Sequence, residues 1–442
     1  MRRNAALWIL CLLAALLLSG CSFTPPWAEV PEPAPTPEPT PAPTVYAYTW
    51  LPTSRTLRIR SEELDDLVAQ RELLPELEKI LLLETVEDPA VLDRLHEAFP
   101  AAELSYRVEL DGRLVDSRET ELDLSRLSHE DVPEVCERLA LLPNVTRVIL
   151  SEDADWEDVG AFQALPSAPT VDRPFTLYGR HFNTTDEFMD LNRVKIGDKG
   201  AALREVLPYM TNCRQVDMED CGIRNEEMAV LRDDFPSVKI VWRVHFNVYS
   251  VRTDETRILA SIKEINLNAD TVACLKYCTE VRYLDLGHNI INNISFVSYM
   301  PDLEVAILAI NYWTDASPLA SCSKLEYLEM FNTNCRDLSP LAELKNLKHL
   351  NICWLMNLSD ITPLYGLTQL ERLWIGSSEY NSIPRAQLRE IREKLPNTEI
   401  NTSTENPTEE GWRFDEDKNP VPRYALLIEQ MRYNDPKPYS MA

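Results

Sequence analysis

The sequence predicts an α/β solenoid, a coil of short turns whose strands stack into one curved parallel sheet, with β-hairpins inserted in the N-terminal half. Two periodicities carry this expectation. In the C-terminal half the pattern Leu-x-x-Leu-x-Leu recurs with its first position at Val281, Leu303, Leu325, Leu347 and Leu370, spacings of 22, 22, 22 and 23. Upstream a longer unit repeats: Ile80, Val148 and Val216 fall 68 apart each time, and Leu122, Val194 and Ile265 are spaced by 72 and 71. A third observation is compositional. The 442 residues are 45% hydrophobic and 26% charged, which suits a packed chain, but 31 prolines against 11 glycines is a skew that one stretch largely explains.

At the N-terminus Arg2 and Arg3 precede an apolar run from Ala5 to Leu18, the length of a secretory signal and short for a membrane span. The run ends in Leu18-Ser19-Gly20-Cys21, which resembles the lipobox of bacterial lipoproteins. The resemblance implies cleavage after residue 20 and a diacylglyceryl group on Cys21. It also implies an extracytoplasmic, cell-surface location, with two acyl chains enough for stable anchoring. From Pro25 to Thr44, proline alternates with Ala, Thr and Glu. Such a segment extends as polyproline II and spaces the folded part on the order of 60 Å from the lipid. The expected organisation is a signal peptide over 1–20 and a linker over 21–45. An irregular long-repeat part follows over 46–267, a regular 22-residue part over 268–401, and a cap over 402–442.

In the long-repeat part, strands are expected at Ile80/Leu82, Leu122/Leu124, Val148/Leu150, Val194/Ile196, Val216/Met218 and Ile265/Leu267. Helical stretches run to Phe99-Pro100, Leu165-Pro166 and Phe235-Pro236, followed by alternating segments such as Tyr106, Val108 and Leu110. The module reads as coil, return helix, coil, hairpin, present about three times. Leu57 to Leu74 reads as a strand and amphipathic helix closing the front, since terminal coils would otherwise expose apolar faces.

In the regular part the inward pairs are Leu284/Leu286, Ala306/Leu308, Leu328/Met330, Leu350/Ile352 and Leu373/Ile375, each bracketing one outward residue as in a short strand. The phrases DLSPLAELKNLKHL and DITPLYGLTQLERL resemble the repeats of internalin-type leucine-rich-repeat proteins, which implies a right-handed coil. The asparagine slot of that family is met by Asn289 and Asn311, whereas Thr333 and Leu355 depart from it, so the buried hydrogen-bond ladder should break there. The segment from Gly411 to Tyr433, with Trp412, Tyr424, Leu426, Leu427 and Met431, is expected to close the far end.

A formal charge of −27 sets the protein against nucleic acid and anionic membrane surfaces at long range. Eight cysteines remain after Cys21, most of them on repeat slots where a small apolar side chain is wanted, and spacing fixes no disulfide pairing. Neither the cysteines nor the six scattered histidines form a metal-ligand or nucleophile motif, so no cofactor, metal or enzymatic activity is expected. The informative surface is the concave sheet face, where Tyr283, Asp285, Ile307, Tyr327, Glu329, Phe331, His349, Asn351, Trp354, Arg372 and Trp374 stack coil over coil. An aromatic patch on a side expected to face water marks binding. The expected partner is an extracellular protein or peptide held by that face. A glycan or wall polymer, or a structural role in the envelope, are the alternatives.

Overall fold

The computed structural model describes residues 45–261 and 266–433. Cys21 with its lipobox, the proline-rich stretch to residue 44, Ile265 and residues 434–442 lie outside the described residues.

The regular part is a seven-stranded parallel sheet of Arg257–Leu259, Tyr283–Asp285, Val305–Ile307, Tyr327–Glu329, His349–Asn351, Arg372–Trp374 and Glu399–Asn401. Register follows the sequence period: Leu284, Ala306, Leu328 and Leu350 pair in turn, with Leu373 next, and all five are fully buried. Each leucine so buried stabilises the stack by about 1.5–3 kcal/mol. The repeated phrase Asp-x-Ser/Thr-Pro-Leu builds the return. Asp315, Asp337 and Asp360 accept from the amides of Ser317, Ser339 and Thr362 at 2.8, 2.8 and 2.9 Å. The following proline starts a 3-10 turn whose leucine, Leu319, Leu341 or Leu364, closes the coil from behind.

The ladder behaves as the sequence implies. The Asn311 carbonyl oxygen accepts from the Ile291 amide (3.0 Å), and its amide donates to Leu286 O in the preceding coil (2.9 Å). Asn289 does the same for Leu267 and Ala260, each at 3.0 Å. Thr333 reaches only Met330 O within its own coil. The carbonyl of Leu308, which an asparagine at 333 would have reached, receives the indole N–H of fully buried Trp313 instead (3.1 Å).

Upstream the long units differ from expectation in their count of coils. Each hairpin follows three parallel strands rather than two: Thr56–Ile59, Lys79–Thr85 and Glu103–Leu110 in the first unit, Glu121–Asp123, Arg147–Ile149 and Thr170–Asp172 in the second, and Phe188–Asp190, Gln215–Asp217 and Lys239–Val241 in the third. Two expected strands are misplaced. Val194 and Ile196 lie in the corner after the strand at Phe188–Asp190, beyond Arg193 at φ +59°, and Met189 is the inward residue opposite Val216. Likewise Leu267 sits in a corner, and the strand before Tyr283–Asp285 is Arg257–Leu259, so the long sheet starts ahead of residue 268. Corner residues are apolar and alternate too, which is why they mimicked strands.

The hairpins leave the sheet through one device used three times. Tyr106 exchanges hydrogen bonds with Ser117, Arg173 with Thr184 and Trp242 with Thr253, the hydroxyl accepting the partner's amide at 3.2, 2.8 and 3.2 Å. The first and second hairpins turn through Asp111-Gly112 and Tyr178-Gly179, all at positive φ, the two-residue turn that matches strand twist. The cores of the first two units and of the rest meet at Trp156, which packs against both and stacks 5.4 Å from Tyr209. At the front, Thr56–Ile59 and the helix Leu64–Ala69 form the expected cap.

Candidate functional site

The closing segment does not seal the end of the coil. Residues 406–433 lie across the sheet face expected to be open, reaching from Arg257, which donates to Met431 O at 3.3 Å, to Arg372, which donates to Gly411 O and Trp412 O. Tyr283, Asp285, Ile307, Tyr327, Glu329, Phe331, His349, Asn351 and Trp374 are all buried, with Tyr327 and Trp374 only 1% exposed, while Trp354 and Arg372 are half-buried. The expectation of a water-facing recognition patch is therefore corrected: these eleven residues are brought together, but as the floor under an internal cover. The reason is hydrophobic. Leu259, Tyr283, Val305, Ile307, Phe331 and Cys353 form one cluster with Trp412, Tyr424, Leu427 and Met431 of the helix Pro422–Met431 and its approach. A strand apolar on both sides signals burial of both, and the amphipathic segment that covers it is in the same chain.

Two buried carboxylates anchor the cover. Glu329, with no exposed side-chain surface, pairs with the Arg413 guanidinium and accepts from Trp412 Nε1 at 2.8 Å and from the Tyr327 hydroxyl. Burial pushes its pKa up, yet Arg413 and these donors hold it below the ordinary glutamate value. Asp285 accepts from the Tyr433 hydroxyl at 2.6 Å and the Gly287 amide at 3.0 Å, and its pKa is raised because burial outweighs those bonds. Asn351 donates to Pro407 O at 2.8 Å. Around this network Trp412 packs 5.4 Å from both Tyr327 and Trp374, and Arg372 lies 4.7 Å over the Trp374 ring.

Not every group beneath the cover is matched. His349 Nδ1, Trp354 Nε1, Trp374 Nε1 and Arg423 Nε are buried with no hydrogen-bond partner. Burial, then the nearby charges of Arg423, Arg372 and Lys348, lower the His349 pKa to about 3, and Glu371, 3.7 Å from its Nε2, does not reverse this. A histidine kept neutral in the fold but protonated when unfolded contributes stability that is whole above the unfolded value near 6.5 and is lost as pH falls toward 3. We expect unfolding free energy to drop by about 2 kcal/mol from pH 7 to pH 5 on this account. Urea titrations of wild type and His349→Phe at both pH values check it: equal pH slopes in the two proteins would remove His349 as the cause.

Beside the covered face, one surface feature remains open that the sequence reading missed. At the corner of successive coils Asn266, His288, Ile310, Asn332 and Trp354 all adopt positive φ, between +48° and +58°. The residue two positions on then points outward, which places Ile290, Tyr312, Asn334 and Met356 in a row at 22-residue steps, the apolar three being 39%, 58% and 53% exposed. A β-branched Ile310 in this region is strained by about 1–3 kcal/mol. Ile310 and Trp354 both pack against the cover cluster, which holds them there.

Other groupings are committed to structure. His129, Asp155 and Asp158 converge, with His129 Nδ1 2.6 Å from Asp158 and 3.6 Å from Asp155. Asp158 also accepts from the Asp155 amide at the start of the helix Trp156–Gln163, and its hydrogen bond raises the His129 pKa. A helix N-terminus and the charge of nearby Arg173 both disfavour a cation there. A cleft of about 510 Å³ beside the third hairpin has walls bonded to one another: His245 to Asp220 at 3.0 Å, and Trp242 Nε1 to Asn225 at 3.0 Å. The eight described cysteines are free thiols, six of them buried, as core packing requires.

Coils of about 22 residues, each with one short parallel strand and a 3-10 return, and with Asn289, Asn311, Thr333 or Leu355 in the turn, define a leucine-rich-repeat solenoid. Among solved structures the chain is similar to an internalin of Listeria monocytogenes, at 18% identity, covering 76% of each chain with a TM-score of 0.29. It is similar also to internalin C2 of the same organism (21% identity, 45% of this chain and 75% of that one, TM-score 0.27) and to a leucine-rich-repeat protein of Leptospira interrogans (13%, 78% and 100%, TM-score 0.28). In sequence it matches mouse cilia- and flagella-associated protein 410 at 31% identity over 102 residues, 21% of this chain and 41% of that protein. No family model matches the chain.

Proposed function

We propose that this chain is a membrane-tethered recognition scaffold that binds a protein partner at the bacterial cell surface. The observation that carries the binding part is the row of Ile290, Tyr312 and Met356, apolar side chains held outward at coil spacing on a packed core and left uncovered beside a face the chain fills itself. A rigid row with an aromatic at its centre supplies contact area at little entropic cost, which favours association with another protein. The tether rests on the Leu18-Ser19-Gly20-Cys21 motif behind its apolar run, and the proline-rich spacer would carry the coil clear of the membrane.

The test uses the full chain expressed with its N-terminus, in capture experiments against surface extracts. Tyr312→Asp combined with Met356→Asp is expected to abolish most capture, and prior protease treatment of the extract to do the same. Capture that survives the double variant would move the interface elsewhere, and capture sensitive to glycosidase alone would make the ligand a glycan. In parallel Cys21→Ala is expected to shift the chain from the membrane to the soluble fraction. Unchanged fractionation would remove the lipid tether.

A further inference from the structure

We infer that the groove beneath residues 406–433 is a binding site for a peptide carrying an arginine next to an aromatic residue, with a tyrosine about two coils away, and that the closing segment is its resident, displaceable occupant. The inference stands apart from the exposed row and does not depend on it.

The floor of the groove specifies its ligand by charge and spacing. Glu329 and Asp285 lie on outward positions of strands two coils apart, roughly 10 Å at the spacing of adjacent strands. Arg413 supplies the cation and Trp412 the indole donor to Glu329, and Tyr433 supplies the phenol to Asp285. Any segment that replaces the resident one must bring the same groups, because removing them would strand two carboxylates in an apolar groove. The resident fit is incomplete. His349 Nδ1, Trp354 Nε1 and Trp374 Nε1 stay unpaired under it, although Trp374 and His349 are almost wholly buried. A segment whose backbone carbonyls met those nitrogens would bind the groove better than the turns and helix of the cover do. The cover has the advantage of being tethered, so an untethered ligand competes against a high effective concentration. That arrangement describes a site kept closed until a better-matched peptide arrives.

Cys353 reports on the state of this site. Its thiol is fully buried in the cluster shared with Trp412, whereas Cys335 is buried in the interior of the coil, away from the cover. The experiment treats the full chain, wild type and a Trp412→Ala/Arg413→Ala variant, with iodoacetamide, reading each cysteine by mass spectrometry. The probe is a fluorescein-labelled synthetic peptide with the sequence of residues 406–433. In the variant Cys353 is expected to react on the order of a hundredfold faster than in wild type while Cys335 stays protected, since a buried carboxylate has lost its partner. The probe should bind the variant tightly and wild type weakly, and should restore protection of Cys353. A folded variant that neither binds the probe nor exposes Cys353 overturns the proposal. Should Cys335 react as well, the variant has unfolded and the wild type decides. There, Cys353 labelling faster than Cys335 supports a cover that opens by itself, and equal rates show that it leaves only with global unfolding, which defeats the inference.

Discussion

Replacing Glu329 by alanine lowers the unfolding free energy by about 3–5 kcal/mol, because the substitution leaves the Arg413 guanidinium in a low-dielectric groove without its counter-charge. Two further donors lose their acceptor at once, Trp412 Nε1 and the Tyr327 hydroxyl, both fully enclosed. The loss therefore belongs to the broken network and not to the net worth of one ion pair. A double variant, Glu329→Met with Arg413→Met, separates these terms: with no orphaned charge and similar volume it should regain most of the lost stability. Urea unfolding followed by tryptophan fluorescence reads the effect, since Trp412 and Trp374 lie against one another. A single variant within about 1 kcal/mol of wild type would mean that water already reaches Arg413.

The second large effect is expected at Asn311. Alanine there costs about 1–3 kcal/mol, since the Ile291 amide is left unpaired in the interior, while the Leu286 carbonyl keeps the Asn289 side-chain amide as donor. Leu308 O is spared because Trp313 Nε1 still donates to it. Asn311→Thr should recover little of this, as Thr333 shows what a threonine can do in that slot: it satisfies a carbonyl of its own coil and none of its neighbour's. The same urea titration ranks the three proteins, and an alanine variant no weaker than wild type would show that water enters the turn.

How much of this was legible in the sequence depends on which residues report a single environment. Leu284, Leu328 and Leu350 do, because every coil places them against the next coil, so their spacing reads directly as register. The departures at Thr333 and Leu355 were legible for the same reason, although the indole of Trp313 as substitute was not, since nothing in a period reveals a side chain reaching across it. Val194 and Ile196 misled because a corner residue is buried as thoroughly as a strand residue. Spacing from Leu122 to Met189 and on to Ile258 was the usable signal, at 67 and 69 residues. The recognition face failed more instructively. Tyr283, Ile307 and Tyr327 were read as exposed because their strand neighbours point inward, but outward positions in the upstream units hold Glu121, Asp123 and Arg147 instead. That contrast in composition marks a covered face, and the chain's own amphipathic ending marks the cover. The outward row at Ile290, Tyr312 and Met356 depends on a left-handed corner that only glycine or asparagine would announce, and His288, Ile310 and Trp354 do not.

A stack of coils joined only through nearest neighbours behaves like a spring, yielding a little at every junction when its ends are pushed or twisted. The segment that touches Arg257 near one end of the long sheet and Arg372 near the other works as a tie rod across that spring. With the rod seated, flexing of the C-terminal portion is expected to be smaller than that of the three upstream units, where hairpins interrupt the sheet. Unseating the rod would soften the whole array, turning the loss of a local contact into a change of mechanical compliance along the molecule.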